Sequence, residues 1–83
     1  MDNLSRLKRI LADTLQLGAR AEALTLQSNL LGAIPEFDSM AVVTVLTMIE
    51  EEFGITIVDD EISADLFDTL GTLLVFVEVK AGA

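Results

Sequence analysis

Residues 34–53 read Ile-Pro-Glu-Phe-Asp-Ser-Met-Ala-Val-Val-Thr-Val-Leu-Thr-Met-Ile-Glu-Glu-Glu-Phe, and the reading of this stretch decides the rest of the chain. Pro35 has a fixed φ and no amide hydrogen, so the chain is not helical there. Asp38 and Ser39 favour a helix start, because their side-chain oxygens accept the unpaired amide hydrogens of a first turn. Behind them Met40, Val43, Leu46 (or Thr47), Ile49 and Phe53 recur near helical spacing. A serine next to an aspartate is therefore expected at the exposed mouth of an amphipathic helix. Phosphate is well received at such a place, where free amide hydrogens and the helix dipole both favour negative charge. On local features alone the plainer reading is that Ser39 and Asp38 merely cap the helix. Neither choice of cap gives a capping box, since the third helical position would be Ala41 or Val42.

Outside this stretch the chain reads as all-α. Leu4, Leu7, Ile10, Leu11 and Leu15 form the apolar stripe of a first helix, capped by Asp2 or Asn3 and expected over 3–17, with Gly18 as its stop. Residues 19–37 have no clean period and form a long first loop, with room for a helical turn near 27–31. The second helix is expected over 39–53. Residues 55–58 have strand propensity but no evident partner strand, so they read as an extended linker. Asp59 or Asp60 can cap a short third helix over 60–66. Asp68 or Thr69 can cap a fourth over 69–80, with Leu70, Leu73, Leu74 and Val77 inward and Phe76 beside them. Residues 73–79 are rich in β-favouring side chains, yet they do not alternate apolar with polar, and a lone strand would leave its edges unpaired. The result is a small four-helix bundle, three longer helices and one short one, filling the 83 residues as one domain.

Composition excludes several functions. The chain has no His, Cys, Tyr or Trp, so neither a Ser-His-Asp nor a Cys-His device can be assembled. No thiolate or imidazole metal site is available, and the acidic triplets at 50–52 and 59–61 lack the spacing of a calcium loop. The net charge of −9 argues against nucleic acid. Arg6, Lys8, Arg9 and Arg20 lie in the first twenty residues, and no Lys or Arg falls between Glu22 and Val79. The body of the domain is thus expected to carry a nearly unrelieved negative field that steers basic partners inward. No apolar run approaches a membrane span, and nothing at the N-terminus reads as a signal peptide; together with the lack of cysteine this suits a cytoplasmic, monomeric protein.

Asp38-Ser39-Met40, followed by an apolar helix ending Ile49-Glu50-Glu51-Glu52-Phe53, resembles the acyl carrier protein signature over nearly the whole chain. Leu30-Leu31-Gly32 with Ile34-Pro35 is similar to that family's hydrophobic loop running into the serine helix. The resemblance implies that Ser39 carries 4′-phosphopantetheine, delivered covalently from coenzyme A by a phosphopantetheinyl transferase, with Asp38 and Met40 completing the attachment motif. Met40 replaces the usual Leu, a volume-conserving change. The terminal thiol of the arm would hold acyl groups as thioesters, for fatty acid biosynthesis or another branch of lipid metabolism. The protein would be a cosubstrate of ketosynthase-type and acyl-transferring enzymes rather than a catalyst. Val43, Leu46, Ile49, Phe53, Ile62 and Leu70 would line a shelter for the acyl chain, or serve as plain core.

For partner recognition the resemblance implies acidic positions at Asp38, Glu50 and Glu51, facing basic patches on the enzymes. Ala41 and Thr44 stand where strongly acidic members carry carboxylates. With Val45 and Met48 they are expected to make the outward face of the second helix apolar, which points to a dedicated pathway. Two alternatives are an aminoacyl or peptidyl carrier, against which Phe37-Asp38 before the serine argues, and an acidic helical adaptor with no prosthetic group.

Overall fold

The computed structural model describes residues 2–82, the side chain of Ala64 excepted, and over these it is all-helical. Helix α1 (Asn3–Leu15), α2 (Ser39–Phe53) and α3 (Leu70–Ala81) are joined by three 3-10 segments, Gly18–Ala23, Asp59–Glu61 and Ala64–Phe67. The short third helix expected over 60–66 is built from the last two of these, with Ile62 and Ser63 extended between them.

Each α-helix starts on a side-chain cap. Asp2 accepts the Ser5 amide at 2.8 Å, Asp38 the Ala41 amide at 2.9 Å, and Thr69 the Thr72 amide at 3.1 Å. Helix α1 ends at Leu15, two residues short of the expected boundary and without using Gly18. Gln16 takes the left-handed conformation (φ 55°), and the Leu17 amide folds back to the Ala12 carbonyl at 3.0 Å. Leu17, the next residue, is buried in the core. Helix α3 forms despite its β-favouring composition. Thr69 caps it, Gly82 closes it, and Leu70, Leu73 and Val77 bury one face completely.

The first loop is ordered by backbone pairing with the start of α3. Leu30 and Leu31 donate to the carbonyls of Asp68 and Phe67, and Leu70 and Gly71 donate to those of Ser28 and Leu26 at 2.9 Å each. Residues 27–31 are therefore not a helical turn, as the sequence allowed; the Leu30 and Leu31 amides are committed to this pairing, those of Gln27 and Ser28 turn back to Thr25, and the helical turn of the loop lies earlier, at Gly18–Ala23. A Cβ on Gly71 would lie 2.9 Å from the Leu26 carbonyl oxygen, so the close approach requires glycine.

The core gathers Leu7, Ile10, Leu11 and Leu15 of α1, Val45, Leu46 and Ile49 of α2, and the buried face of α3, with Leu30, Ile34, Phe37, Leu66 and Phe67 from the connections. The cations near the two termini reach across to the acidic body. Arg6 pairs with Glu52 at 2.9 Å, Arg20 with Glu36 at 2.8 Å and Lys80 with Glu61 at 2.9 Å. The expected negative field is relieved at three places, where Arg6, Arg20 and Lys80 reach acids of the body, because folding brings together charges far apart in sequence.

Candidate functional site

Ser39 is the first residue of α2 and is exposed. Asp38, in extended backbone, is the N-cap. Its Oδ1 takes the Ala41 amide and its carbonyl takes the Val42 amide at 2.9 Å. The amide hydrogens of Ser39 and Met40 belong to the first turn, where no helix carbonyl precedes them. A group esterified to the Ser39 oxygen would therefore meet outward-directed amide dipoles at the positive end of a helix.

The approach to Ser39 is fixed from behind. Phe37, two residues upstream, is buried and meets Phe67 edge-to-face, with ring centroids 5.2 Å apart and planes at 86°. Its amide donates to the Ile34 carbonyl at 3.0 Å, and Ile34 is itself buried. Glu36 pairs with Arg20 of the first 3-10 segment. The guanidinium hydrogen bond holds the Glu36 carboxyl below the usual carboxylate range. The serine thus stands on a rigid corner: two buried side chains and an ion pair on one side, a capped helix on the other.

Helix α2 presents two different surfaces below Ser39. The outward one carries Met40 (75% exposed), Thr44 and Met48 (38% exposed), with Ala41 half-buried and Glu51 exposed. Thr44 turns its hydroxyl onto the Met40 carbonyl at 3.1 Å, as Thr47, at the groove, does onto that of Val43 at 3.0 Å. Val45 does not belong to this surface. It is completely buried, and the expectation that it adds to the outward face is wrong. The cause is the composition of α2, apolar on nearly every side, which gives no unique inward stripe. The buried stripe is Val45, Leu46 and Ile49, and Met40 and Val43 (60% exposed) lie outside it.

The second surface is a groove of about 180 Å³ between α2 and the chain that follows it, lined by Val43, Leu46, Thr47, Glu50, Ile57, Asp59 and Ile62. Of the six expected lining residues, Val43, Leu46 and Ile62 are brought here. Ile49 and Leu70 are fully buried in the core instead. Phe53 is covered by the Arg6 guanidinium, 4.3 Å above its ring. Glu50, expected on the partner face, also borders the groove. Its carboxylate Oε2 accepts the Ile57 amide at 2.7 Å, and the residue is half-buried. Sequence reasoning missed Thr47, Glu50, Ile57 and Asp59 as lining. Thr47 and Glu50 follow Val43 and Leu46 by four residues, a helical-face signal; nothing comparable marked Ile57 or Asp59.

A larger open hollow of about 610 Å³ lies between α1 and the first 3-10 segment, bordered by Ser5, Lys8, Arg9, Ala12 and Glu22 among others, and Ser39 is not part of it. Among the described residues no group of three or more acidic side chains is gathered closely enough to hold a metal ion. Among them, too, no helix is long and apolar enough to cross a membrane.

Comparison with known proteins bears on this corner and groove. The family model described as phosphopantetheine attachment site matches residues 5–77. Among solved structures, the chain is similar to a holo acyl carrier protein from Nitrosomonas europaea, determined by solution NMR. The two share 53% identity, each is covered over 100% of its length, and the TM-score is 0.91. No curated protein gives a match.

Proposed function

This chain belongs to the phosphopantetheine-attachment family, among the acyl carrier proteins, and on that footing we propose that Ser39 is the residue that carries the arm. The prosthetic group of the family is a covalently attached 4′-phosphopantetheine, whose terminal thiol holds an acyl group as a thioester. The observation that carries the assignment to Ser39 is its position: an exposed hydroxyl on the first residue of a capped helix, inside the matched region. A transferase joins the Ser39 oxygen to the phosphorus of the phosphopantetheinyl group of coenzyme A. The pyrophosphate bond breaks, adenosine 3′,5′-bisphosphate leaves, and the serine proton is released. The chain's own residues orient and solvate the new phosphodiester: Asp38 fixes the first turn, the Ser39 and Met40 amides face the phosphate, and Phe37 keeps the corner in place.

The groove between α2 and residues 55–62 is the shelter for the acyl chain in this reading, with Val43, Leu46, Ile57 and Ile62 as its apolar walls. The outward face of α2 is the partner surface. Met40, Ala41, Thr44 and Met48 make it more apolar than charged, and Glu51 is its exposed carboxylate. An apolar anchor region governs dissociation more than association. That supports a carrier kept to dedicated acyl-handling enzymes rather than one shared by general fatty-acid synthesis. Intact-mass measurement after incubation with coenzyme A and a broad-specificity transferase tests the reading: one arm is gained by the parent and none by Ser39→Ala. An acidic adaptor would gain nothing in either form.

A further inference from the structure

Glu50 organises the exit from α2 in a way that its position in an acidic triplet conceals. Its backbone carbonyl accepts the amides of Gly54, which closes the helix, and of Ile55 at 3.2 Å. Its carboxylate reaches further and accepts the Ile57 amide at 2.7 Å. Beyond that point the Val58 amide donates to Glu61 Oε1 at 3.1 Å, and Lys80 of α3 donates to the same oxygen at 2.9 Å. Residues 55–61 therefore form a strap with a tether at each end, one on α2 and one on α3. Ile57 and Ile62 of this region face Val43 and Leu46 across the groove, and Glu50 is itself part of the groove wall.

The size of the groove gives the tether a consequence. A closed cavity of about 150 Å³ holds a benzene ring; the groove, about 180 Å³ and open along one side, covers a segment of roughly six carbon atoms and leaves any longer tail in solvent. Sheltering that tail needs the strap to move away from α2, and the bond that resists this movement is the one between the Glu50 carboxylate and the Ile57 amide. We infer that Glu50 is the latch that sets acyl-chain capacity: while it holds Ile57 the groove admits a short segment, and longer chains shelter only at the expense of that hydrogen bond. The inference rests on the carrier reading above. Glu50 is a positioning residue here, acting through the strap and not on the thioester.

Glu50→Ala removes the acceptor and, because alanine is the best helix former, does not weaken α2 itself. Glu50→Gln removes the charge but keeps an oxygen that can accept the Ile57 amide. Both variants and the parent are first measured without an arm, by hydrogen exchange. The Ile57 amide is expected to exchange about tenfold faster or more in Glu50→Ala and within about twofold of the parent in Glu50→Gln. All three are then loaded with hexanoyl and dodecanoyl arms, confirmed by intact mass, and melted. In the parent and in Glu50→Gln the rise in thermal midpoint on acylation should be no larger for dodecanoyl than for hexanoyl. In Glu50→Ala it should be clearly larger for dodecanoyl. Identical chain-length profiles in all three proteins, or Glu50→Gln behaving as Glu50→Ala, would overturn the latch. A parent that never gains an arm would instead overturn the carrier reading, whereas unchanged Ile57 exchange in Glu50→Ala refutes the latch alone.

Discussion

Replacing Phe37 by alanine tests whether the corner that presents Ser39 is held from behind by aromatic packing. The ring is 3% exposed and meets Phe67 edge-to-face at 5.2 Å. Truncating a buried Phe to Ala costs about 3–5 kcal/mol, part transfer and part cavity, and the aromatic pair contributes about 0.5–1.5 kcal/mol of geometry-specific attraction within that loss. A domain of 83 residues has a total stability of roughly 4–12 kcal/mol, so the substitution removes a large share of it. With a urea m-value of roughly 1–2 kcal/mol/M, a loss of about 3 kcal/mol lowers the unfolding midpoint by about 1.5–3 M. Phe37→Leu refills most of the volume and should cost no more than about half as much. The assay is urea unfolding followed by circular dichroism, with m compared between variants so that a change in midpoint is read as stability. A loss below about 1 kcal/mol for Phe37→Ala would mean that the site collapses readily or that the ring is not an anchor. The account of how Ser39 is positioned would then be wrong.

Further outcomes are expected elsewhere in the molecule. Gly71→Ala should destabilise the fold by about 1–3 kcal/mol although alanine favours helix, because its Cβ would press on the Leu26 carbonyl 2.9 Å away; an unchanged or raised urea midpoint would contradict the loop-to-α3 pairing. Glu36 and Glu61 are held below their ordinary value of 4.5, chiefly by hydrogen bonds from Arg20 and Lys80. Their contribution is therefore complete above that value and is lost as pH falls through their depressed values, so the thermal midpoint should fall on acidification below about pH 5 and fall less in Glu61→Gln. Net charge −9 persists after the three ion pairs are formed, so melting in very low salt should be lower than in moderate salt; a flat salt series would show the remaining carboxylates to be too far apart to matter. Ala41→Asp with Thr44→Glu should leave the melt nearly unchanged while raising turnover by a general ketosynthase. Equal rates for this double variant and the parent would remove the outward face of α2 as the determinant of partner choice.

The start of α2 was legible because its determinants are local: Pro35 blocks a helix, Asp38 caps one, and no tertiary contact is needed to see either. The first helix was legible for a similar reason, its leucines and isoleucine falling on one stripe with charges off it. Its end was not, since Gln16, a non-glycine residue with no stop signal of its own, is the residue that takes the left-handed conformation. The orientation of α2 was misjudged at Val45 because an almost wholly apolar helix has no periodic face to read; burial is then decided by its neighbours. The pairing of residues 26–31 with 67–71 and the bond from Glu50 to Ile57 were invisible for a further reason. Both engage backbone groups, which every residue carries and no sequence pattern marks. Likewise the ion pairs of Arg6, Arg20 and Lys80 join residues that only the fold brings together.

The central claim is that the arm is borne by Ser39 and by no other hydroxyl. The chain has four serines, at positions 5, 28, 39 and 63; Ser39 alone is the first residue of an α-helix, whose first-turn amides can face a phosphodiester, while Ser63 precedes only a four-residue 3-10 segment. Peptide mapping by tandem mass spectrometry, after modification with coenzyme A and a transferase, tests this most directly. The arm should be found on the peptide containing Asp38-Ser39-Met40, at Ser39, in a single copy. An arm localised to Ser5, Ser28 or Ser63, or distributed among them, would contradict the account.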